Sequence, residues 1–190
     1  MALILNGTGV VTGLASINDG IITSDDIASG AITAAKMAAG AVVQVVSVTK
    51  TDPWTNSTQN TWNDVTGLTA SITPSNSSNK ILVIGYISYA ASSNLYFRIL
   101  RGSTAIGVGD TAGSRISATG SSGYNFTDGN VGENASFNYL DSPSTTSSTT
   151  YKIQVYGFNI AQFVNRVVSD TDSNVSSRGS STITLMEIKG

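Results

Sequence analysis

Residues 80–87, Lys80-Ile81-Leu82-Val83-Ile84-Gly85-Tyr86-Ile87, form the most apolar run in the chain. Its length is that of a strand, and unbroken apolarity predicts a strand buried on both faces. The polar turn Thr73-Pro74-Ser75-Asn76-Ser77-Ser78-Asn79 precedes it, and before that Trp62 to Ile72 alternates loosely. Further upstream, Gln44-Val45-Val46-Ser47-Val48-Thr49 is rich in β-branched residues until Asp52-Pro53 breaks it. Downstream come Leu95 to Leu100, a turn and short strand from Gly102 to Gly109, Ala135 to Leu140, Tyr151 to Phe158, and Ser181 to Ile188. About eight strands separated by turn signals predict a mainly β protein, a jelly-roll-like antiparallel β-sandwich. An immunoglobulin-like strand order is the second arrangement of the same elements. The stretch Thr111 to Gly132, rich in Gly, Ser and Asn, is expected to be a long loop, and loops of that length are usually functional or mobile.

Composition agrees with a strand-and-turn protein. Of the 190 residues, 40% are hydrophobic and only 12% are charged, about half the usual ~25%. Ser, Thr, Asn and Gly take up the difference. The net charge of −2 supplies no basic field for nucleic acid, and Lys and Arg are scattered singly, which disfavours an anionic membrane surface. There is no His and no Cys. The commonest general base, the commonest transition-metal ligands and the thiol nucleophiles are therefore missing. No stretch approaches the ~18 apolar residues of a membrane span. The opening Met1-Ala2-Leu3-Ile4-Leu5-Asn6-Gly7-Thr8-Gly9 has no basic n-region, so the expectation is cytoplasmic synthesis without a signal peptide.

Residues 20–43 carry a ten-residue repeat. Gly20-Ile21-Ile22-Thr23-Ser24-Asp25-Asp26-Ile27-Ala28-Ser29 is followed by Gly30-Ala31-Ile32-Thr33-Ala34-Ala35-Lys36-Met37-Ala38-Ala39, and Gly40-Ala41-Val42 opens a third unit. Thr23 and Thr33 stand where helix N-caps would be, and Gly30 and Gly40 where a C′ glycine would end a helix. The expected unit is a β-like Ile, a helix of one to two turns and a glycine exit. Helices below ~12 residues are marginal alone, so Ile22, Ile27, Ile32 and Met37 need a partner. Three parallel copies of the segment would provide it, which makes these four the expected trimer-stalk contacts. A plain Ala-rich helix from Ser24 to Ala39 is the simpler alternative, weakened by Gly30 in its middle.

The repeat and the opening nonapeptide resemble the stalk repeats and N-termini of bacteriophage tail-fibre-like proteins, particularly those of cyanophages and other marine phages. Ser75 to Leu82, Phe97-Arg98-Ile99-Leu100-Arg101-Gly102-Ser103-Thr104 and Thr182-Ile183-Thr184-Leu185-Met186-Glu187-Ile188 are similar to their small C-terminal knobs. The resemblance implies a homotrimeric virion structural protein without enzymatic activity, assembled in the host cytoplasm. It implies an anchor and stalk over 1–43 that meets other virion proteins, and a β-sandwich knob over 44–190 used in host attachment. Barely two repeats is short for a tail fibre, so a head fibre and a capsid decoration or cement protein stay open beside it. A free carbohydrate-binding module is the alternative of another class.

Chemistry-bearing clusters are sparse. Asp25-Asp26, Asp170 and Asp172 are the close acidic pairs, and adjacent carboxylates do not face each other across a sugar as a glycosidase requires. Without His, a hydrolase triad of the usual kind cannot be built. Asp170-Thr171-Asp172-Ser173-Asn174 echoes the start of a calcium loop, but Val175 and Ser181 stand where Gly and Glu are needed. No cofactor and no metal are expected. The candidate surface-recognition residues are Trp54, Trp62, Arg115, Tyr124 and Phe126. Exposed aromatics stack on sugars or anchor a protein contact, and they equally cover sheet edges and subunit boundaries. Tyr86, Tyr96, Tyr139, Tyr151 and Tyr156 fall in strands, where core or interface positions are expected.

Overall fold

The computed structural model describes residues 27–121 and 129–190. The chain divides into two compact units, Met1–Met37 and Ala38–Gly190.

The described part of the first unit is a series of turns. Gly30 adopts φ 77°, where a side chain would be strained, and Ala31 N–H donates to Ala28 O. Ala34–Lys36 forms one 3-10 turn preceded by Thr33, whose hydroxyl makes no cap hydrogen bond. The expected helix of one to two turns is thus a single 3-10 turn here. Its glycine exits are retained: Gly40, at the start of the second unit, has φ 85°. The Lys36 ammonium closes the segment by donating to Ala31 O.

The second unit is built from strands. They are β1 (Val42–Lys50), β2 (Trp54–Asn56), β3 (Trp62–Ile72), β4 (Lys80–Ala90), β5 (Leu95–Arg101), β6 (Thr104–Ile106), β7 (Gly120–Ser121), β8 (Glu133–Asp141), β9 (Thr149–Gly157), β10 (Gln162–Val164) and β11 (Ser181–Ile188). One sheet joins β1 to β11 and β11 to β4, and β8 lies along the other edge of β4. The second joins β3 to β9 and β9 to β5, with β6 and β7 both on β5. All these pairs are antiparallel. The first main strand pairs with the last, β3 with β9, β4 with β8, and β5 with the short strands that follow it. A long hairpin rolled into two sheets gives that order, which is the jelly-roll order rather than the immunoglobulin one.

The core follows from period-two alternation. Ile81, Val83 and Ile87 of β4 and Ile183 and Leu185 of β11 point inward from the first sheet. Leu95, Phe97 and Ile99 of β5 and Tyr151, Ile153 and Val155 of β9 meet them from the second. Two glycines make room for aromatics. Phe137 lies over Gly85 and Phe97 over Gly120, each so close that a Cβ would collide with the ring. The two rings then meet with centroids 5.8 Å apart.

Two expectations need correction, and two short strands were not foreseen. β4 is buried on one face only: Ile84 is 37% and Tyr86 38% exposed. Nothing among the described residues of the unit layers over the outer face of that sheet, so its apolar side chains face outward. The stretch 111–132 is not all loop, since Thr119 N–H donates to Phe97 O and Gly120–Ser121 pairs with β5. β2 and β10, of three residues each, had too short a pattern to be seen in the sequence.

Polar groups inside the sandwich are satisfied in clusters. Asn165, fully buried at φ 60°, donates to Lys50 O and Asp52 O and accepts from Ser181 Oγ at 2.6 Å. Asp141 accepts from Arg101 at 2.8 Å and from the buried Tyr151 hydroxyl at 2.6 Å. Burial, and then the bond to Asp141, push the Tyr151 phenol far above its ordinary range. Glu187, 0% exposed, accepts from Asn79 Nδ2 (2.5 Å), the Ser75 amide (2.7 Å), Ser75 Oγ (2.8 Å) and Gln44 Nε2 (2.5 Å). Burial alone would raise its carboxyl, but these neutral donors outweigh that and hold it below its ordinary value of 4.5.

A folded-state pKa below the unfolded one means stability that is present above pH 4.5 and lost as pH falls through the folded value. Glu187→Gln should therefore flatten the loss of stability between neutral pH and pH 3, measured by urea denaturation. Asp64, also depressed, will leave part of the slope. Glu187→Ala should cost on the order of 3 kcal/mol at pH 7, because buried donors lose their acceptor.

Candidate functional site

The two outer faces of the sandwich differ in chemistry. On the second sheet, cross-strand register sets two rows side by side. Trp62 of β3 stands opposite Tyr156 of β9, which stands opposite Tyr96 of β5. The ring centroids are 5.6 and 6.0 Å apart, tilted and edge-on, as aromatic pairs prefer. The next row is Asp64, Gln154 and Arg98. Arg98 donates twice to Gln154 Oε1 (2.9 and 2.7 Å), and Gln154 Nε2 donates to Asp64 Oδ1 (2.7 Å). The Arg98 guanidinium also lies 4.2 Å from the centroid of the Trp62 ring. Asp64 receives Lys152 Nζ at 2.6 Å. Burial would raise the Asp64 carboxyl, but bonds from Lys152 and Gln154 and the charges of Lys152 and Arg98 bring it below the ordinary range.

Where this aromatic row ends, a cleft of about 300 Å³ opens, lined by Asn94, Tyr96, Arg115, Ile116, Tyr156 and Phe158. Its far wall is set by the turn after β9. Asn159 and Asn60, both in the left-handed region at φ 55°, hold each other: Asn60 Nδ2 donates to Asn159 Oδ1 and Asn159 N–H to Asn60 Oδ1. Phe158 N–H is tied to Asn94 O, and the Phe158 ring is left 47% exposed. Arg115 closes the turn after Gly113 (φ 62°), its amide and its guanidinium both donating to Ala112 O. The other arginines are engaged with side chains: Arg98 with Gln154, Arg101 with Asp141, and Arg166 and Arg178 with Asp170. Among the described residues Arg115 has no carboxylate partner.

The outer face of the first sheet is different. Register aligns Val45, Met186, Leu82 and Leu140 across β1, β11, β4 and β8. That row is wholly apolar, and its ends, Val45 and Leu140, are 54% and 47% exposed. The neighbouring rows are Ser47, Thr184, Ile84 and Asn138, then Thr49, Thr182, Tyr86 and Ser136. Hydroxyls pair across strands at Ser47–Thr184 and Thr49–Thr182. These three rows contain no charged side chain. An open groove of about 600 Å³ runs along them.

Of the residues singled out from sequence, Arg115 lines the cleft, and Trp62 lies outside its lining, against Tyr156. Trp54 does not: it is half-buried on β2 against the core. Tyr124, Phe126 and Ile22 lie outside the described residues. Ile27 and Ile32 are exposed, at 41% and 56%, and Met37 is half-buried. Asp170, at the head of the calcium-like sequence, is held by Arg178 (2.6 and 2.7 Å) and by Arg166 at 3.4 Å, so that carboxylate is already neutralised. Sequence reasoning missed Asn94, Arg98, Gln154 and Phe158. The two-residue spacings Tyr96/Arg98 and Gln154/Tyr156 signalled a shared face, but only register sets the two strands beside each other. No family model matches this chain and no curated protein matches it in sequence.

Arg98→Ala should lower stability by about 1 kcal/mol, since it removes a guanidinium stacked on Trp62 and bonded to Gln154. Trp fluorescence should shift as the Trp62 ring loses its cover, and urea melts will give the free energy.

Proposed function

We propose that this chain is a non-enzymatic structural protein of a bacteriophage particle, a short trimeric fibre whose sandwich forms a surface knob used in host attachment. The observation that carries this reading is the contrast between the outer faces of the jelly roll. One carries three adjoining uncharged rows, one of them wholly apolar; the other holds an aromatic and arginine-lined cleft. The first suits packing against copies of the same chain, and the second suits recognition.

A copy of the same chain is the occupant that the first face fits best. Molecules that share a net charge of −2 repel weakly, and an uncharged face is where they approach at least cost. Four strands about 4.8 Å apart and the five residues spanned by these rows, at ~3.4 Å each, give a face on the order of 330 Å² in projection. That is a substantial part of the ~800 Å² that each partner contributes to a standard interface. The exposed Ile27 and Ile32 in the repeat add a second surface of the same kind. The resemblance of the repeat to phage stalks favours three copies and a place on a virion. A capsid decoration protein is the second reading, and the same uncharged face favours it if that face lies on a capsid rather than on copies of itself.

Light scattering of the full chain should give three times the 19.6 kDa chain mass. Val45→Lys with Leu140→Lys should yield monomers with an unchanged β-type circular dichroism spectrum, because both side chains are exposed and neither supports the core. Ile27→Asp should weaken assembly more than Lys36→Ala, because it places a charge where chains meet. Gold-labelled antibody on intact particles should decorate the virion. A monomeric wild type, or particles without label, overturns the proposal, and a capsid-wide lattice of label selects the decoration reading.

A further inference from the structure

We infer that the cleft between Tyr96, Tyr156 and Phe158 binds an acidic saccharide, with Arg115 taking the sugar's carboxylate or sulfate. This deepens the attachment reading and rests on it for its biological meaning, though not for its chemistry.

The inference starts from shape and lining. A space of about 300 Å³ lies at the low end of small-ligand sites, which run from ~300 to ~1,000 Å³, and it holds roughly one sugar ring. Its walls are amphipathic. A pyranose has an apolar face of C–H groups, and the electron-rich face of an aromatic ring attracts those polarised hydrogens. Phe158 offers such a face in the open, with the Tyr96–Tyr156 pair beside it. A hydroxyl-bearing edge needs donors and acceptors, and Asn94 supplies both in its side-chain amide.

Charge narrows the class. Arg115 is exposed at the cleft wall, and its recorded bond is to a backbone carbonyl, Ala112 O, at 3.2 Å. A guanidinium presents a planar fork that matches a carboxylate or a sulfate, and charge-assisted pairs are about twice as strong as neutral ones. Asp64, the carboxylate of this face, is already occupied by Lys152 and Gln154 and does not line the cleft. An anion meets no acidic side chain among the lining residues. A neutral sugar would use the aromatic wall and Asn94 but leave the charge of Arg115 without a counterion.

The test uses the full-length protein and isothermal titration at low salt. The probes are an oligogalacturonate, its methyl ester, a sulfated galactan oligomer and the same galactan desulfated. Binding of either anionic probe at least tenfold tighter than its uncharged counterpart is expected. Arg115→Ala should abolish that preference, Phe158→Ala should weaken both charged and neutral probes, and Lys36→Ala should change nothing. Arg115→Lys should recover part of the preference, and added salt should erode it. Preference for the oligogalacturonate alone identifies a carboxylate as the ligand group, and preference for the galactan alone a sulfate. Equal binding of charged and uncharged probes, or no binding by any, overturns the inference and leaves virion labelling untouched. Acidic-sugar binding by a chain that never labels particles would keep the inference and remove the attachment reading.

Discussion

β11 is hydrogen-bonded along both edges, to β1 on one side and β4 on the other. Its side chains alternate strictly, with Ser181, Ile183, Leu185 and Glu187 inward and Thr182, Thr184, Met186 and Ile188 outward. A slip of one residue would put Thr184 and Met186 where Ile183 and Leu185 sit and would reverse both faces. Glu187 makes such a slip costly for a second reason. Its carboxylate is fully buried and matched by donors from Gln44 on β1 and from Ser75 and Asn79 in the β3–β4 turn, two separate stretches of chain. A buried charge without those donors would be strongly unfavourable. The position of this one carboxylate therefore fixes β1, the β3–β4 turn and β11 relative to one another. The rows on the outer face depend on that registration.

The same alternation yields the two surfaces. Once the inner positions of a sandwich are filled with Ile, Leu, Val and Phe, the outer positions are free to vary. On the first sheet they are filled mainly by Thr, Ser, Asn and aliphatic residues, with Tyr86 and, at the start of β4, Lys80; on the second by aromatics and a charged network. Arg98, Gln154, Asp64 and Lys152 form a chain of hydrogen bonds that fixes the ground beside the aromatic row. Tyr96 and Tyr156 of the cleft sit on paired strands and inherit their rigidity. Arg115 and Phe158 come from turns, braced by Gly113 and by the Asn60–Asn159 exchange.

Much of the sandwich was legible in the sequence. Trp62 to Ile72 and Ser181 to Ile188 match β3 and β11 end to end, because long runs bounded by polar turns carry their own limits. The jelly-roll order was an expectation from strand number and turn spacing. β2 and β10 were not legible, since three residues hold no period. Thr33 carries an N-cap sequence without the cap, because a ten-residue spacing between glycines leaves too little room for a helix to outweigh its nucleation cost. The cleft was legible only in part. Arg115 stands out as a residue type, whereas Tyr96 and Tyr156 look in sequence like any strand tyrosines. Register, which joins residues some sixty to ninety positions apart in the chain, is a tertiary fact.

The sheet margins carry one more consequence. β1 and β3 each end a sheet among the described residues, and a margin strand is a template on which another chain can add. Both are interrupted. β1 carries an extra residue at Val43, and in β3 the four residues 65–68, with Gly67 at φ 88°, stand opposite Ile153 alone. A foreign strand needs an even ladder of amides and carbonyls, and the β3 margin offers none across residues 65–68. Strand addition along the β3 margin is thereby disfavoured, so contacts made there are left to side chains, which separate again without unfolding.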